Sequence, residues 1–399
     1  MAEILVDPRC APLDRTLDLR VVGLEPGGET TVRATTGDLA AQAVFRADDR
    51  GVVDLTRHAP VSGSYSGVDP MGLFWSLAPT GERPGPTRLE ATGAEPVEIT
   101  RPGVPEGIER TEAPDLSAVL FGPGDGAARP GVVVLGGEDG GRPERDAALL
   151  AGHGFTTLAL PCTGAPGLPD DLVEVPLEHV GRAVDLLRER AGRVGLLGAS
   201  RGGELALLAA SAFPAVRAVV SVVGGGVVTQ GIGPGKRLLE KLSAEVAAWT
   251  WRGRPLPYLP HYVPEELRRA VVAGEPVRLR PVVDLSDGIP EAAEIPVERV
   301  AGGVLLLSSG RDEVRPSAEL SEVAQRRLAE HRHPFRYEHV VYPDAGHLIA
   351  GAPHRPATDL VTRGLGARLA AGGTPAATAA ARADAWRRTI EFFSDQLGT

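Results

Sequence analysis

The amino-acid sequence predicts an α/β protein in which a mostly parallel β-sheet covered by helices is preceded by a β-sandwich. From about residue 16 to residue 100, short alternating apolar and polar runs are separated by Gly, Pro and Asp clusters, as in antiparallel sandwiches of immunoglobulin-like type. From about residue 131 onward, continuous apolar runs alternate with amphipathic helical patterns. That alternation is typical of parallel strands buried on both faces.

The chain length and one Pro-rich stretch indicate two domains. A chain of 399 residues exceeds the usual size of a single domain. The stretch Arg101-Pro102-Gly103-Val104-Pro105 separates the two patterns. We therefore predict a sandwich domain over residues 1–102 and an α/β domain over residues 103–399.

The predicted strands of the first domain have period-two patterns. They comprise residues 17–21, 31–34, 43–46, 73–77 and 96–100. No titratable cluster with catalytic spacing lies among them, so this domain is predicted to be structural or to shape a pocket.

The second domain is predicted to follow a strand–helix rhythm with one interruption. Its apolar strands are 131–135, 155–160, 194–197, 216–223, 304–307 and 335–341, and its clearest helices are 177–190, 317–331 and 381–397. Residues from about 226 to 298 are rich in proline and break the rhythm. We interpret this segment as a cap inserted over the carboxyl edge of the sheet.

One stretch has the pattern of a nucleophile-bearing turn. The apolar run 194–197 ends in Gly198-Ala199-Ser200-Arg201-Gly202, directly before a helical apolar pattern. Because the two glycines carry no Cβ, strand and helix can approach closely there. A strand, a tight turn and a helix in this order present a serine hydroxyl at the carboxyl edge of a sheet. We predict that Ser200 is a nucleophile; the alternative is a Gly-rich turn that contains a serine by chance.

A serine nucleophile needs a base within hydrogen-bond reach and a carboxylate that orients the base. α/β-Hydrolases supply them in the chain order serine, acid, histidine, each after a strand. Asp312 follows the apolar run 304–307, and His347 follows the next predicted strand. The sequence therefore predicts a triad of Ser200, His347 and Asp312. The alternative role for Asp312 is to cap the helix that follows it. Asp344 is the other candidate for the acid, but it lies too close in sequence to His347.

The oxyanion of the reaction needs two backbone N–H groups. One is predicted to be that of Arg201, the residue after the nucleophile. The other is predicted to come from Gly137 or Glu138, in the Gly-rich loop after the first parallel strand. The Arg201 side chain is expected on the solvated surface, and contact with a phosphate near the entrance of the site is the alternative. Glu204 is expected to interact favourably with the dipole of the helix in which it lies.

Several function classes are disfavoured by composition. A formal net charge of -10 argues against non-specific nucleic-acid binding. No apolar run reaches membrane-spanning length, and the N-terminus has no signal-peptide pattern. The two cysteines, Cys10 and Cys162, cannot build a disulfide framework or a Cys-based zinc site. We expect a cytoplasmic protein that needs no metal, and we expect Cys162 to be a small buried residue.

Four stretches carry longer motifs: residues 61–75 (VSGSYSGVDPMGLFW), the turn around Ser200, residues 295–298 (IPVE) and residues 342–349 (YPDAGHLI). These motifs resemble those of one known family, that of the acyl-CoA thioesterases and bile acid-CoA:amino acid N-acyltransferases. The resemblance covers nearly the whole chain. It implies an α/β-hydrolase domain behind a sandwich domain. It also implies cleavage of acyl-CoA through a serine or cysteine, a histidine and an aspartate, and these roles fall on Ser200, His347 and Asp312.

The type of nucleophile bears on the reaction outcome. A cysteine forms a thioester that amines attack readily, whereas a serine forms an oxoester that water activated by His347 can attack. Ser200 therefore favours hydrolysis of an acyl-CoA or acyl-carrier-protein thioester, without a cofactor other than the CoA of the substrate. An acyltransferase that passes the acyl group to an amine or hydroxyl is the first alternative. A carboxylesterase or peptidase and an inactive binding protein are the others.

The acyl group itself is not readable from the sequence, and neither is the oligomeric state. The aromatic residues of the cap, Trp249, Trp251 and Tyr258, are predicted to line the acyl pocket. Ordinary packing of the cap is the alternative for all three.

Overall fold

The computed structural model describes residues 1–80, 85–138 and 140–398. These residues form two compact units. The first comprises Met1–Pro105 with two short segments from late in the chain, Ala352–Asp359 and Pro375–Ala383. The second comprises Glu106–Gly351, Leu360–Thr374 and Asp384–Thr399.

The first unit contains two antiparallel sheets whose apolar side chains share one core. One sheet has the order β1-β2-β5, and the other has the order β6-β4-β3-β8-β9, with β7 also paired to β4. Strands β3 and β4 alternate between buried and more exposed residues, because one face of each strand lies on the core. The strands are β1 (Glu3–Asp7), β2 (Asp18–Val22), β3 (Glu29–Gly37), β4 (Leu39–Arg46), β5 (Val53–Asp54), β6 (Ser62–Gly63), β7 (Ala78–Pro79), β8 (Gly85–Ala91) and β9 (Val97–Glu98).

One predicted strand of this unit is wrong. Residues 73–77 are not a strand, because Gly72–Trp75 forms a short helix, α1, whose four residues are all buried. The Asp69 carboxylate fixes this turn by accepting the Met71 backbone N–H at 2.8 Å and the Trp75 indole N–H at 2.7 Å. A helical turn can bury consecutive apolar residues, whereas a strand with one solvated face cannot.

The second unit is built on a mixed sheet that has eight strands among the described residues, in the order β10-β11-β13-β12-β15-β16-β19-β20. The strands from β13 to β20 in this order pair in parallel, and β11 and β10 continue the sheet in antiparallel fashion. The fold is therefore an α/β-hydrolase domain behind an antiparallel sheet domain, as the sequence predicts. The sheet strands are β10 (Ile108–Ala113), β11 (Ala118–Pro123), β12 (Gly131–Leu135), β13 (Thr156–Leu160), β15 (Val194–Ala199), β16 (Val216–Val222), β19 (Gly303–Ser309) and β20 (Tyr337–Tyr342).

Helices pack against this sheet, so β12 and β19 are buried along their whole length. Helix α8 is divided between the two units after Ala383. It begins at Pro375, earlier than the helix that the sequence predicts over residues 381–397. The helices are α2 (Glu144–Ala151), α3 (Leu177–Ala191), α4 (Arg201–Ala212), α5 (Leu238–Ser243), α6 (Glu265–Ala273), α7 (Ser317–Glu330) and α8 (Pro375–Phe393).

The parallel strands of the sheet end in line with one another. Ala199 at the end of β15 is in register with Val222, Val222 with Leu307, and Leu307 with Val340. The turns that follow β15, β19 and β20 consequently emerge at the same edge. These are the turns that carry Ser200, Asp312 and His347.

The cap interpreted from residues 226–298 contains little regular structure. It holds α5, α6 and the short strands β17 (Trp249–Trp251) and β18 (Arg254–Pro255), and β17 pairs with β14 (Val175–Pro176). A hairpin of β21 (Val361–Gly364) and β22 (Ala367–Ala370) is joined to it, because Val277 N–H donates to the Arg368 carbonyl and Ala370 N–H donates to the Val277 carbonyl. Apolar residues of α5, α6 and the hairpin share a small core of their own.

Candidate active site

The turn between β15 and α4 holds Ser200 in a strained backbone conformation. Ser200 has φ 53° and ψ −120°, a positive φ that costs a residue with a side chain about 1–3 kcal/mol. The Ser200 N–H is fixed by the Val222 carbonyl at 2.9 Å, and the Ser200 carbonyl accepts the N–H groups of Gly203 and Glu204. A Cβ on Gly198 would overlap the Gly202 carbonyl, and one on Gly202 would lie 2.8 Å from the Gly136 carbonyl. The glycine pattern thus exists because strand, turn and helix touch here.

Asp312 and His347 form a hydrogen-bonded pair at the same edge of the sheet. The His347 Nδ1 lies 2.8 Å from Asp312 Oδ2 and 3.0 Å from Oδ1. The Asp312 side chain has no exposed surface, and that of His347 is 11% exposed. With Nδ1 as the donor, the His347 Nε2 is the ring nitrogen that carries the basic lone pair.

The surroundings of Asp312 favour its charged form. Burial by itself raises the pKa of the Asp312 carboxyl, but His347 and the backbone N–H of Arg315 outweigh burial and hold that pKa below its ordinary value. The Val314 and Arg315 N–H groups donate to Asp312 Oδ1 at 2.9 and 3.0 Å. Asp312 is therefore a fixed negative charge beside an imidazole, which is the arrangement that orients a catalytic base.

Backbone hydrogen bonds join the loop of the acid to the loop of the histidine. Gly310 N–H donates to the Tyr342 carbonyl at 2.8 Å, and Arg311 N–H donates to the Ala345 carbonyl at 3.0 Å. The rival acid, Asp344, is exposed and pairs with Arg311 at 3.0 Å. Within the described residues, no hydrogen bond links the Ser200 hydroxyl to His347. Catalytic contacts of this kind are often long in proteins without substrate.

The Gly-rich loop after β12 borders the turn of Ser200. Glu138 lines a cavity together with Ser200 and Arg201, whereas Gly137 lines a neighbouring cavity of about 280 Å³. The Arg201 N–H lies in the first turn of α4, where backbone donors have no partner within the helix. Arg201, Gly137 and Glu138, which the sequence predicts as backbone donors to the oxyanion, therefore lie around one turn. Asp139 of the same loop lies outside the described residues.

The cavity beside Ser200 is small and has both apolar and polar walls. Its volume is about 50 Å³. The polar part is formed by Glu138, Ser200, Arg201, Thr229, His261 and Arg315. The rest is formed by Ile232, Leu242, Leu279, Val282, Val283, Val314 and Leu365, from the cap, the acid loop and the β21–β22 hairpin.

The three aromatic residues predicted to line the acyl pocket are not among the residues of this cavity. Trp249 is 1% exposed and donates its indole N–H to Glu204 at 2.8 Å. Trp251 packs edge-on against Phe213, with ring centroids 5.4 Å apart, and Tyr258 packs against the main core. Trp249 is therefore a buried core residue, whereas Trp251 lines a separate cavity of about 320 Å³. A role in the acyl pocket stays a prediction for Trp251 and Tyr258.

A buried charge cluster next to Ser200 was not expected from the sequence. Arg201, predicted on the surface, is 5% exposed, and Glu204 has no exposed surface. The Glu204 carboxylate accepts hydrogen bonds from Arg201 at 2.8 Å, from Arg315 at 3.0 Å, from Trp249 at 2.8 Å and from both the N–H and hydroxyl of Thr229. In the sequence, the local feature that could have indicated this cluster is Glu204 itself, a glutamate among small and apolar residues one turn after Ser200.

Two further titratable side chains near the site are held uncharged. Burial, together with the nearby Arg201 charge, lowers the pKa of His261 to about 3. Burial raises the pKa of the Cys162 thiol to about 12, so Cys162 has no thiolate with which to act as a nucleophile. Among the described residues, no group of three or more His, Cys, Asp and Glu is arranged to hold a metal ion.

Family models match both units of the chain. The model described as "BAAT / Acyl-CoA thioester hydrolase C terminal" matches residues 175–399. The model described as "Acyl-CoA thioester hydrolase/BAAT N-terminal region" matches residues 14–100. The chain belongs to the acyl-CoA thioester hydrolase/BAAT family. This confirms the resemblance drawn from the sequence motifs.

Relatives in this family match over almost the entire chain. Acyl-coenzyme A thioesterase 1 of Homo sapiens is 30% identical, with 100% of this chain and 97% of the relative covered. Acyl-coenzyme A thioesterase 6 of Homo sapiens is 29% identical, with 99% and 97% covered. Acyl-coenzyme A thioesterase 2, mitochondrial, of Mus musculus is 30% identical, with 97% and 87% covered. Since these family members differ in compartment, the cytoplasmic location of this chain stays a prediction.

Solved structures resemble the fold more distantly. A puromycin-hydrolyzing peptidase of Mycobacterium tuberculosis is 16% identical with a TM-score of 0.45, covering 96% of this chain and 52% of that one. An acylaminoacyl peptidase of Pyrococcus horikoshii is 14% identical with a TM-score of 0.42, covering 96% and 54%. At these TM-scores the likeness supports no further conclusion. Within the described part of the chain, no helix has the length and apolar character needed to cross a membrane.

Proposed function

We propose that this member of the family hydrolyses acyl-CoA thioesters, or the corresponding carrier-protein thioesters, through Ser200 as the nucleophile. The supporting observation is the pairing of Asp312 with His347 at the sheet edge where the strained turn presents Ser200. Family membership supports the thioester substrate and the hydrolytic outcome. The assignment of roles to the three residues is the added part of the proposal.

In the proposed reaction, the Ser200 Oγ attacks the thioester carbon while the His347 Nε2 takes the hydroxyl proton. The oxyanion that forms is stabilised by the Arg201 N–H and by an N–H of the Gly137–Glu138 loop. Collapse of the intermediate breaks the carbon–sulfur bond, and the protonated His347 gives its proton to the departing thiolate. Water, deprotonated by His347, then attacks the acyl-serine and releases the carboxylic acid and Ser200.

Asp312 acts through His347 in this scheme. Its negative charge stabilises the imidazolium that exists after each proton transfer, and its hydrogen bond keeps the ring with Nε2 directed away from the carboxylate. The positive end of the α4 dipole, which begins at Arg201, stabilises the oxyanion further.

The test is the release of free thiol from acyl-CoA substrates, measured by a thiol-reactive dye. We expect Ser200→Ala to lower kcat/KM by about 10⁴–10⁶-fold. Ser211→Ala is the matched control, because Ser211 lies on the same helix and its hydroxyl only donates to the Leu208 carbonyl. If the Ser200→Ala protein keeps the wild-type rate while folded, the nucleophile assignment is wrong.

Carrier and reaction outcome are separated by two further measurements. One acyl group is presented as a CoA thioester, a carrier-protein thioester and a simple ester, and the three values of kcat/KM identify the preferred carrier. Mass spectrometry of the products in the presence of amine and alcohol acceptors distinguishes hydrolysis from acyl transfer. Amide or ester products in place of the free acid would contradict the proposed hydrolysis.

A further inference from the structure

The β21–β22 hairpin presents two arginines on one of its faces. Arg363 and Arg368 are direct partners in the antiparallel register, so their side chains lie on the same face with Cβ atoms about 5 Å apart. Both arginines are exposed, whereas Leu369, on the opposite face, is buried in the small core shared with α5 and α6. Like charges directly opposite each other destabilise a pair of strands. This pair therefore does not serve the stability of the hairpin.

No described carboxylate relieves the repulsion between the two guanidinium groups. Among the residues that the structure describes, neither Arg363 nor Arg368 takes part in an ion pair or a side-chain hydrogen bond, and Arg237, directly before α5, has no ion pair. Two glutamates lie in the same region. The Glu240 carboxylate accepts two backbone N–H groups at the start of α5, at 3.1 and 3.3 Å, and Glu275 pairs with none of the three arginines.

These arginines and glutamates line a cavity of about 850 Å³, here called the arginine cavity. Its volume lies within the range of about 300–1,000 Å³ that is typical of ligand sites. Three arginines against two glutamates leave its walls positive, although the whole chain has a formal net charge of -10. Leu239 and Val271 add apolar surface, and so does Val272, which is 84% exposed. Cationic and apolar walls together suit a ligand that joins phosphate groups to a flat ring.

The arginine cavity lies close to the cavity at Ser200, because three chain segments form walls of both. Leu238 of α5 lines the arginine cavity, and Leu242, one turn later, lines the cavity at Ser200. Four residues of helix span about 6 Å. In two other segments the residues that line the two cavities are at most two positions apart: Val277 with Leu279, and Gly366 with Leu365.

The CoA part of a thioester bound at Ser200 can reach the arginine cavity. About 13 covalent bonds join the thioester sulfur of CoA to its diphosphate, and an extended chain of that many bonds spans about 15 Å by the dimensions of a polypeptide. This reach exceeds the separation of the cavity walls, which is about 6–7 Å by the same dimensions. Leu365, at the tip of the hairpin, marks the border that the arm has to pass.

We propose that the arginine cavity binds the phosphates of coenzyme A, with Arg363 and Arg368 as the binding pair and Arg237 as a third cation. Arginine forms charge-assisted and often bidentate hydrogen bonds with phosphate, and a bound phosphate removes the repulsion between the opposed guanidinium groups. The adenine packs on the exposed Val272. The inference rests on the proposed function, because it assumes that the thioester carbonyl lies at Ser200. It adds that CoA is preferred to carriers that bear no nucleotide.

The experiment presents one acyl group on two carriers, CoA and pantetheine. Pantetheine has the same arm as CoA but neither phosphate nor adenosine, and the acyl group is the one that the wild-type protein hydrolyses best as its CoA thioester. We expect wild-type kcat/KM to favour the CoA thioester by about 10-fold or more, since hydrogen bonds to charged groups contribute that much to binding. The double variant Arg363→Met with Arg368→Met is expected to abolish most of this preference. The loss is expected in KM, because the phosphates are bound equally in the ground state and the transition state.

Arg254→Met is the matched control. Arg254 is exposed on β18 and lines neither of the two cavities, so its preference for the CoA thioester is expected to equal that of the wild type. Equal preferences in the double variant and in Arg254→Met overturn the inference. If the double variant does not fold, Arg363→Gln and Arg368→Gln are measured singly against the same control.

Two further substrates identify the group that the arginines bind. Acyl-dephospho-CoA lacks the 3′-phosphate. If the double variant loses the preference for acyl-CoA over acyl-dephospho-CoA, the arginines bind the 3′-phosphate; if it loses only the preference over pantetheine, they bind the diphosphate. Both results support the proposal. A carrier-protein thioester that is hydrolysed faster than the CoA thioester, and is slowed more by the double variant, would overturn it, because the arginines would then contact an acidic protein.

The remaining outcomes separate this inference from the proposed function. Equal wild-type kcat/KM for the CoA and pantetheine thioesters overturns the inference and leaves the proposed function standing. Absence of thiol release from every thioester tested, by a folded protein, overturns the proposed function. The Kd of CoA itself, measured by isothermal titration calorimetry, then tests the arginine cavity without turnover: an increase of about 10-fold or more in the double variant supports it, and an unchanged Kd overturns it.

Discussion

Glu204→Gln is expected to destabilise the second unit strongly. The Glu204 carboxylate accepts hydrogen bonds from two buried guanidinium groups, one indole and one threonine. Glutamine has nearly the same size, but it removes the negative charge that compensates Arg201 and Arg315. It also replaces one acceptor oxygen with an amide group that donates hydrogen bonds, although the neighbouring side chains at this position are themselves donors. Breaking a buried ion pair on one side costs about 3–5 kcal/mol, which is a large part of the 5–15 kcal/mol that stabilises a typical folded protein.

The assay is unfolding in urea followed by tryptophan fluorescence. Trp249, Trp251 and Trp386 lie in the second unit, so the signal reports chiefly on that unit. Glu112→Gln is the matched control. Glu112 also pairs with two arginines, Arg110 and Arg142, each at 2.8 Å, but its side chain is 52% exposed, and exposed pairs contribute little. Equal decreases in the free energy of unfolding of the two variants would refute the argument that burial is the reason why the ion pairs of Glu204 stabilise the protein.

Four other outcomes follow from the same structure. Burial raises the pKa of the Glu204 and Asp312 carboxyls, but their charged and hydrogen-bonding neighbours lower it by more, so that both pKa values lie below their ordinary values. The contribution of these two carboxylates to stability is therefore present above about pH 4.5 and lost as the pH falls through the folded-state pKa values. A wild-type unfolding midpoint that falls no more steeply with acid than that of Glu204→Gln would contradict this. Asp312→Asn should lower kcat/KM for thiol release by about 10³–10⁴-fold, whereas Asp344→Asn, which alters the exposed rival acid, should retain activity; the reverse result would make Asp344 the acid. Gly198→Ala should cost about 1–3 kcal/mol or more in urea unfolding, because its Cβ meets the Gly202 carbonyl, while Gly122→Ala on β11 meets only ordinary contacts at 3.6 Å and beyond. Maleimide should react with the exposed Cys10 and leave thiol-releasing activity intact, because Cys162 is buried with a raised pKa; inactivation that tracks labelling of Cys162 would oppose the serine assignment.

Local patterns account for what the sequence predicted well. The turn at Ser200 is specified within five residues, because the glycines, the strained serine and the start of α4 are neighbours in the chain. The parallel strands are continuous apolar runs, so their order along the chain is visible without coordinates. The triad assignment rests on the order of three loops and stays a prediction, although Asp312 and His347 do form a pair.

The failures involve residues whose conformation or burial depends on a hydrogen bond to one particular carboxylate, which is near in the chain in one case and distant in the other. Residues 73–77 resemble a strand by composition, but the carboxylate of Asp69 ties that stretch into a helical turn. Trp249 resembles a pocket residue of a cap, yet its indole is bound to Glu204, 45 positions earlier. In both places a specific hydrogen bond outweighs the tendency read from residue type.

The sequence by itself determined the family, the two-part fold and the serine-bearing turn, because each depends on residues that are close together or on long-range order along the chain. Only the tertiary structure decided that Arg201, Glu204 and Arg315 form one buried cluster beside Ser200. Arg315 is 111 positions from Glu204, and charged residues in a sequence are by default assigned to the surface. The charges met in the interior because β15 and β19 end at the same edge of the sheet, where the segments that follow them converge.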